Sequence, residues 1–196
     1  MWRAALPCPI IENMSSVFKH FLDRSLAHVV RFNSRPQHFQ ESVAEHSFFT
    51  AYIASILCDL LSEENIPVNR EKVLTMALIH DSEEMFSGDI LSPFKHHSPE
   101  VKNAIKTVNQ ELIKEVFEDL PPHIGSRYVA LWSEESRQES IEAQVVKMSD
   151  RLSLIGKCAE EVTAGNGFFK EIYDKELASL KDDKKEWWQK IKKHIF

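Results

Sequence analysis

Glycine is scarce in this chain, with five in 196 residues, and no stretch of alternating β-branched residues is bounded by hairpin turns. Strands therefore have little support, and an all-α fold is the expectation. Cysteine is rarer still. Cys8, Cys58 and Cys158 are odd in number and share no CxxC spacing, so no disulfide framework is indicated. A chain of this length buries enough surface in one domain to do without such staples. Cys58 and Cys158 lie in apolar helical stretches and read as buried free thiols, which favours a reducing, cytoplasmic setting. No apolar run approaches a membrane span, and the opening MWRAALPCPIIENMSS is too short and too proline-broken for a signal peptide, so a soluble protein is expected. The net charge is −6 and the basic residues are scattered, which argues against a surface for duplex nucleic acid. A few lysines and arginines can still converge on a small anion.

Helical periodicity runs through most of the chain. The spacing predicts a first helix from Ser16 to Val30, with Phe18, Phe21, Leu22, Leu26 and Val29 on one stripe, followed by a loop that Pro36 enforces. A second helix opens at SVAE, where Ser42 and Glu45 have the form of a capping box, and runs through HSFFTAYIASILCDLL. His46 then lies one turn in. A third starts near Asn69 and carries REKVLTMALIHDSEEMF to Ser87-Gly88. A fourth opens at Ser98-Pro99, shows Val101, Ile105, Val108, Leu112 and Val116 at helical spacing, and closes at Pro121-Pro122. A further helix covers RQESIEAQVVKMSDRLSLIGKCAEEVTA, and a last one KELASLKDDKKEWWQKIKKHI. The apolar LPPHIGSRYVALW and the aromatic tail EWWQKIKKHIF are read as core cover or as a dimer surface.

The stretch ALIHDSEEMFSGDI, residues 77–90, concentrates ionisable groups beside an apolar pattern. Such groups are costly at the edge of a core unless something compensates them, and a metal ion is one such compensation. His46 shares a stripe with Thr50, Ile53 and Leu57, and His80 shares one with Val73, Met76 and Ala77, so both rings point inward. Asp81 lies beside His80, Glu84 is one turn on, and Asp150 shares a stripe with Ala143, Val146 and Leu154. Two imidazoles and two carboxylates on three helices make a mixed nitrogen and oxygen set suited to a divalent cation. Taken singly, each has a plainer reading. An inward histidine is more often a hydrogen-bonded core residue, Asp81 and Glu84 a solvated helix end, and Glu45 a cap partner. His96 and His97, in FKHHSPE, read as an exposed pair outside any ligand set.

The succession AEH, LIHDSEE and KMSDRL resembles the H…HD…D signature of the HD superfamily of metal-dependent phosphohydrolases. The wider stretches RFN, HDSEEMFSGDILSPFK and SDRLSLIGKCAEEVTAGN resemble the YfbR-like bacterial 5'-deoxynucleotidases over about residues 18–175. This resemblance implies an HD-type helical bundle over residues 15–196, with residues 1–14 as an N-terminal extension. It implies a divalent cation, Co2+, Mn2+ or Mg2+, held by His46, His80, Asp81 and Asp150, with Glu84 as the catalytic carboxyl. It also places Arg31 at the phosphate, Asp89 as acceptor from the sugar 3'-hydroxyl, and Lys95 as an added phosphate contact. Phe32 stands where the family carries a tryptophan that crowds the ribose 2' position. The implied function is removal of the 5'-phosphate of 2'-deoxynucleoside monophosphates, by a homodimer. Two alternatives remain. One is a dNTP triphosphohydrolase like the phage dATP enzymes, which extra lysines such as Lys95 and Lys147 would favour. The other is a non-catalytic, nucleotide-binding HD scaffold.

Overall fold

The computed structural model describes residues 14–196; Cys8 and residues 1–13 of the N-terminal extension lie outside them. In chain order the helices are α1 (Ser16–Leu22), α2 (Val43–Glu63), α3 (Arg70–Ile79), α4 (Glu84–Ser87) and α5 (Ser92–Lys95). Then follow α6 (Pro99–Val116), α7 (Pro122–Arg137), α8 (Ile141–Thr163), α9 (Phe168–Asp182) and α10 (Glu186–Ile191). Among the described residues there is no strand; a lone antiparallel bridge joins Val30 to Ser42. No helix there is long and apolar enough to cross a membrane.

Three capped helices make the centre. The capping box at α2 is complete: Glu45 N donates to Ser42 Oγ at 3.2 Å and Ser42 N donates to Glu45 Oε2 at 2.7 Å. Asn69 caps α3 and Ser140 caps α8 in the same way, each side chain accepting from the amide three residues on. Their inner faces supply Leu57 and Leu61, Val73 and Met76, and Val145 and Val146 to one core, which Leu180, Trp188 and Ile191 close from α9 and α10. Burying side chains of this size contributes roughly 1.5–3 kcal/mol each, which is why these faces and not the helix propensities hold the bundle together. Cys58 and Cys158 are buried free thiols. A second, smaller core gathers Ile79, Ile113, Val116, Phe117 and Trp132 between α3, α6 and α7.

Several expected boundaries differ. The first helix stops at Leu22, with a 3-10 turn at Ser25–Ala27, because Asp23 Oδ1 accepts from Ser25 N at 2.9 Å and turns the chain. Its apolar stripe stays outside the core, with Phe21 67% exposed. The third helix ends at Ile79 rather than Phe86, because the ladder tightens to i→i−3 bonds such as Ser82 N to Ile79 O and Glu84 N to Asp81 O. The stretch after Pro121-Pro122 is a full helix, α7, which the sequence reading missed. Proline sits at its first turn, and a Cβ on Gly125 would lie 2.8 Å from Phe117 O, so α7 approaches the end of α6 only with glycine there. On α6, Val108 of the expected apolar row is exposed, and Ile113 and Val116 are the buried residues. The last helix is two: Lys185 N donates to Asp183 Oδ1 at 3.0 Å, ends α9, and lets α10 fold back with Trp187 and Trp188 buried. The tryptophan pair is core.

Candidate active site

α2 and the end of α3 bring two imidazoles together edge-on, their ring centroids 5.2 Å apart. His46 is fully buried, and its Nδ1 meets Ser153 Oγ of α8 at 3.1 Å. His80 follows the last residue of α3, and its Nδ1 lies 2.9 Å from Ala77 O. A carbonyl only accepts, so His80 Nδ1 carries the proton and in the neutral ring the Nε2 lone pair faces inward. The two Nε2 atoms are 3.3 Å apart. Asp81 Oδ2 sits 3.2 Å from His80 Nε2 and 3.8 Å from His46 Nε2, and Asp150 Oδ1 sits 3.1 Å from His46 Nε2. His46, His80 and Asp81 offer ligand atoms all within 4.8 Å of one another, a spacing that one divalent cation can bridge. Asp150 joins through His46, and its other oxygen takes Lys147 Nζ at 2.7 Å.

The electrostatics ask for a cation at this point. Burial works against a charged His80, yet Asp81, Asp150 and Glu135 outweigh it and raise the imidazole to about 10. Burial likewise opposes charge on Asp81, but His80 and His46 hold it below the usual carboxylate range. Asp150 is held well below that range against burial by Lys147 and both histidines. Each ring is also fixed through its Nδ1, the support that orients imidazole ligands in metal sites.

The tight turn after α3 does more than place His80 beside Asp81. It leaves His80 O to accept from Trp132 Nε1 at 3.0 Å, while the same indole N–H approaches Glu83 Oε2 at 2.8 Å. Asn109 Nδ2 donates to the other Glu83 oxygen at 3.1 Å. Burial, then Asp81, push Glu83 up to about 7. Glu84 starts α4, buried, and accepts from Lys95 Nζ at 3.0 Å. Burial and Asp81 push it to about 8, against the pull of Lys95. A cavity of about 890 Å3 opens over this floor, lined among others by His80, Asp81, Glu83, Lys95 and Glu135. His96 and His97 are exposed on its wall, outside the ligand triangle.

Arg31 and Phe32 arrive on the loop between α1 and α2. Arg31 Nη1 pairs with Glu41 Oε2 at 2.5 Å, and the guanidinium also feels Asp150 and Asp81. Phe32 has a φ of 53°, the left-handed region that a non-glycine residue enters only when its surroundings hold it there. Its N–H donates to Asp89 Oδ2 at 2.8 Å, and its ring packs edge-on against Phe169 at 5.2 Å. Asp89 thus reaches the Arg31–Phe32 loop through a backbone bond that the sequence did not foretell. Ser153, Trp132 and Glu41 were also missed. Ser153 lies one helical turn from Asp150 and was readable by spacing; the other two carry no local signal.

The sequence model of the family described as "5'-deoxynucleotidase YfbR-like" matches residues 17–195. The chain belongs to the YfbR-like family. That match runs past residue 175, where the motif resemblance ends, and takes in α10. A relative from Photorhabdus temperata, named 5'-deoxynucleotidase yfbR, is 28% identical over 155 residues, covering 77% of this chain and 78% of its own. A 5'-deoxynucleotidase of Yersinia pestis strain Pestoides F is 32% identical over 130 residues, 66% of each chain. An HD-domain phosphohydrolase from Listeria innocua superposes with a TM-score of 0.73 at 26% identity, covering 85% of this chain and 80% of its own. With these YfbR-like relatives and that fold, the protein is an HD-type hydrolase with a divalent metal site, and the all-α HD bundle expected from the sequence is the one observed.

Proposed function

We propose that the protein removes the 5'-phosphate of 2'-deoxynucleoside monophosphates, using a divalent cation held by His46, His80, Asp81 and Asp150. The observation that carries this reading is the pair of buried Nε2 atoms 3.3 Å apart, flanked by Asp81 and Asp150. Two imidazole lone pairs and two carboxylates converging in this way are resolved by a shared cation. When bound, that cation neutralises phosphoryl oxygens and acidifies water. Arg31, steadied by Glu41, offers its remaining N–H groups to the non-bridging oxygens, in a fork that suits them. Glu84, raised to about 8, moves the proton that must pass from water to the leaving 5'-oxygen. Asp89 keeps a carboxylate oxygen for the sugar 3'-hydroxyl, Phe32 lies along the sugar's 2' side, and Lys95 adds a phosphate contact. The relatives named for this reaction support the choice of substrate.

The same reading carries Co2+, Mn2+ or Mg2+ as the metal, a cytoplasmic location in keeping with the free thiols, and a homodimer. An apolar stripe on α2 supports the dimer: Phe48, Phe49 and Ile56 are exposed, and Tyr52 is 59% exposed and stacked on Phe48. One observation speaks for the dNTP triphosphohydrolase. Lys95 and Lys147 are engaged by Glu84 and Asp150, but Lys102 and Lys106 line the cavity along with Lys95 and could meet a longer phosphate chain.

The test is product analysis. Metal-stripped protein, reloaded with manganese, cobalt or magnesium, is offered ribo- and deoxynucleotides as mono- and triphosphates. Free phosphate from deoxymonophosphates is the expected result; intact tripolyphosphate from a dNTP would overturn the choice of bond, and no turnover at all would overturn the enzyme.

A further inference from the structure

One and two turns beyond Ser153, α8 carries a buried ion pair that the proposed chemistry does not use. Glu161 is fully buried and takes Lys157 Nζ at 2.8 Å. Its two oxygens also accept from three groups outside the pair: His38 N at 2.9 Å, Phe39 N at 3.0 Å and Asn166 Nδ2 at 2.9 Å. Lys157 Nζ reaches back to Phe39 O, and Asn166 Nδ2 also donates to Pro36 O at 2.9 Å. The backbone of residues 36–39 is therefore stapled on both sides of Gln37, to Asn166 just past the end of α8 on one side and to α8 itself on the other. A buried charge pair is costly unless its remaining hydrogen-bonding capacity is filled, and here the loop's own backbone fills it.

Gln37 passes this constraint on. Its Nε2 donates to Arg31 O at 2.8 Å and to Phe32 O at 3.1 Å, while its Oε1 is buried without a partner. Asp89 holds the other side of the same peptide, through Phe32 N. A left-handed backbone at a non-glycine residue is strained and persists only where its neighbours over-determine it. Gln37 and Asp89 are those neighbours, and Gln37 is in turn placed by the staple.

We propose that Glu161, acting with Lys157 and Asn166 through Gln37, is a positioning residue that fixes the Arg31–Phe32 peptide, so that Phe32 stands against the sugar, and thereby sets the preference for deoxyribose. This rests on the nucleotidase reading above. Glu161 touches neither substrate nor the metal cluster; its effect is on where the Phe32 ring and the Arg31 fork stand. A misplacement of about 1 Å in such a group can cost up to roughly 100-fold.

The experiment compares wild type with Glu161→Gln and with the milder Asn166→Ala. It measures kcat/KM for dAMP and AMP, Mn2+ affinity by calorimetry, and amide hydrogen exchange across residues 31–39. In Glu161→Gln the dAMP to AMP ratio falls by about tenfold or more, because the sugar contact and not the chemistry has shifted. Exchange at the Phe32 amide speeds up and Mn2+ affinity holds. Asn166→Ala, which leaves the buried pair in place, shows the same pattern at smaller size and carries the test if Glu161→Gln does not fold. An unchanged ratio with both rates lowered together would mean a structural role and overturn the proposal. Unchanged exchange at Phe32, or a wild type without preference for dAMP, would overturn it too. A wild type inactive on every nucleotide sinks the nucleotidase reading instead, and exchange at Phe32 still decides whether Glu161 positions the loop.

Discussion

His46 and His80 stand on a helix face and at a helix end, their rings fixed by Ser153 Oγ and by Ala77 O three residues back. Arg31 and Phe32 stand on a loop with no repeating hydrogen-bond pattern, shaped by side chains from distant parts of the chain: Glu41, Asp89 and, through Gln37, Glu161. The first region is held by core packing and the second by a polar network. Both are secured on one row of α8, where Asp150 and Ser153 serve the imidazoles and Lys157 and Glu161, one and two turns on, serve the loop. The metal cluster thus rests on packed helices, whereas the Arg31–Phe32 loop depends on a few buried hydrogen bonds. Changes near the cluster should therefore alter metal binding and kcat, and changes in the loop's supports should alter discrimination.

The largest expected effect separates the two regions outright. Asp81→Ala removes a carboxylate from the ligand triangle without touching the core, so turnover should be lost by a factor of about 1,000 or more, several kcal/mol of transition-state stabilisation, while the melting curve stays cooperative. Full activity in that variant would break the assignment of the cluster. Glu84→Gln comes next, with kcat down roughly 100-fold, as expected for a lost proton carrier, and Mn2+ affinity kept. Ser153→Ala frees His46 Nδ1 and should weaken metal binding by roughly tenfold or more, read by calorimetry, with the dAMP to AMP ratio unmoved.

Smaller effects sharpen the contrast through pH. The Lys95 charge draws Glu84 down, so Lys95→Met should raise the Glu84 carboxyl further above its ordinary range. If turnover needs the ionised form, the acid limb of kcat/KM moves to higher pH, and the rate near neutrality falls a few-fold. On the loop side, burial opposes charge on Glu161, but His38 N, Lys157, Phe39 N and Asn166 hold its carboxyl at about 2, against an ordinary 4.5. A depressed carboxyl stabilises the fold above its ordinary value and loses that contribution as pH falls toward the depressed one. Amide protection at His38 and Phe39 should therefore fall as pH drops from about 4.5 toward 2, and protection that holds through this window would show that the staple does not rest on an ionised Glu161.

The legible parts of this protein were the ones written in local patterns. Ser42 with Glu45, Asn69 and Ser98 announce helix starts, and the inward rows through His46 and Asp150 follow from helical spacing alone. The chemistry of ALIHDSEEMF was visible for the same reason, since His80, Asp81 and Glu84 are close in sequence. Its geometry was not, because a run of good helix-forming residues does not show that the ladder tightens at Ile79 to release His80 O to Trp132. α7 was hidden by Pro121-Pro122, which ends a helix as readily as it begins one, and the exposed face of α1 by a stripe that looks like any core stripe.

By itself the sequence determined the all-α class, the helix caps, the buried thiols and the identity of the ionisable groups, because each depends on residues within a turn or two of one another. Only the tertiary structure decided that two imidazole Nε2 atoms meet at 3.3 Å and that Trp132 supports their floor. Only the tertiary structure, too, let Glu161 reach 122 and 123 residues back along the chain to hold the Arg31–Phe32 loop. Those contacts are made by chain closure across the bundle, and the energy that selects them lies in shared burial, which no short window of sequence contains.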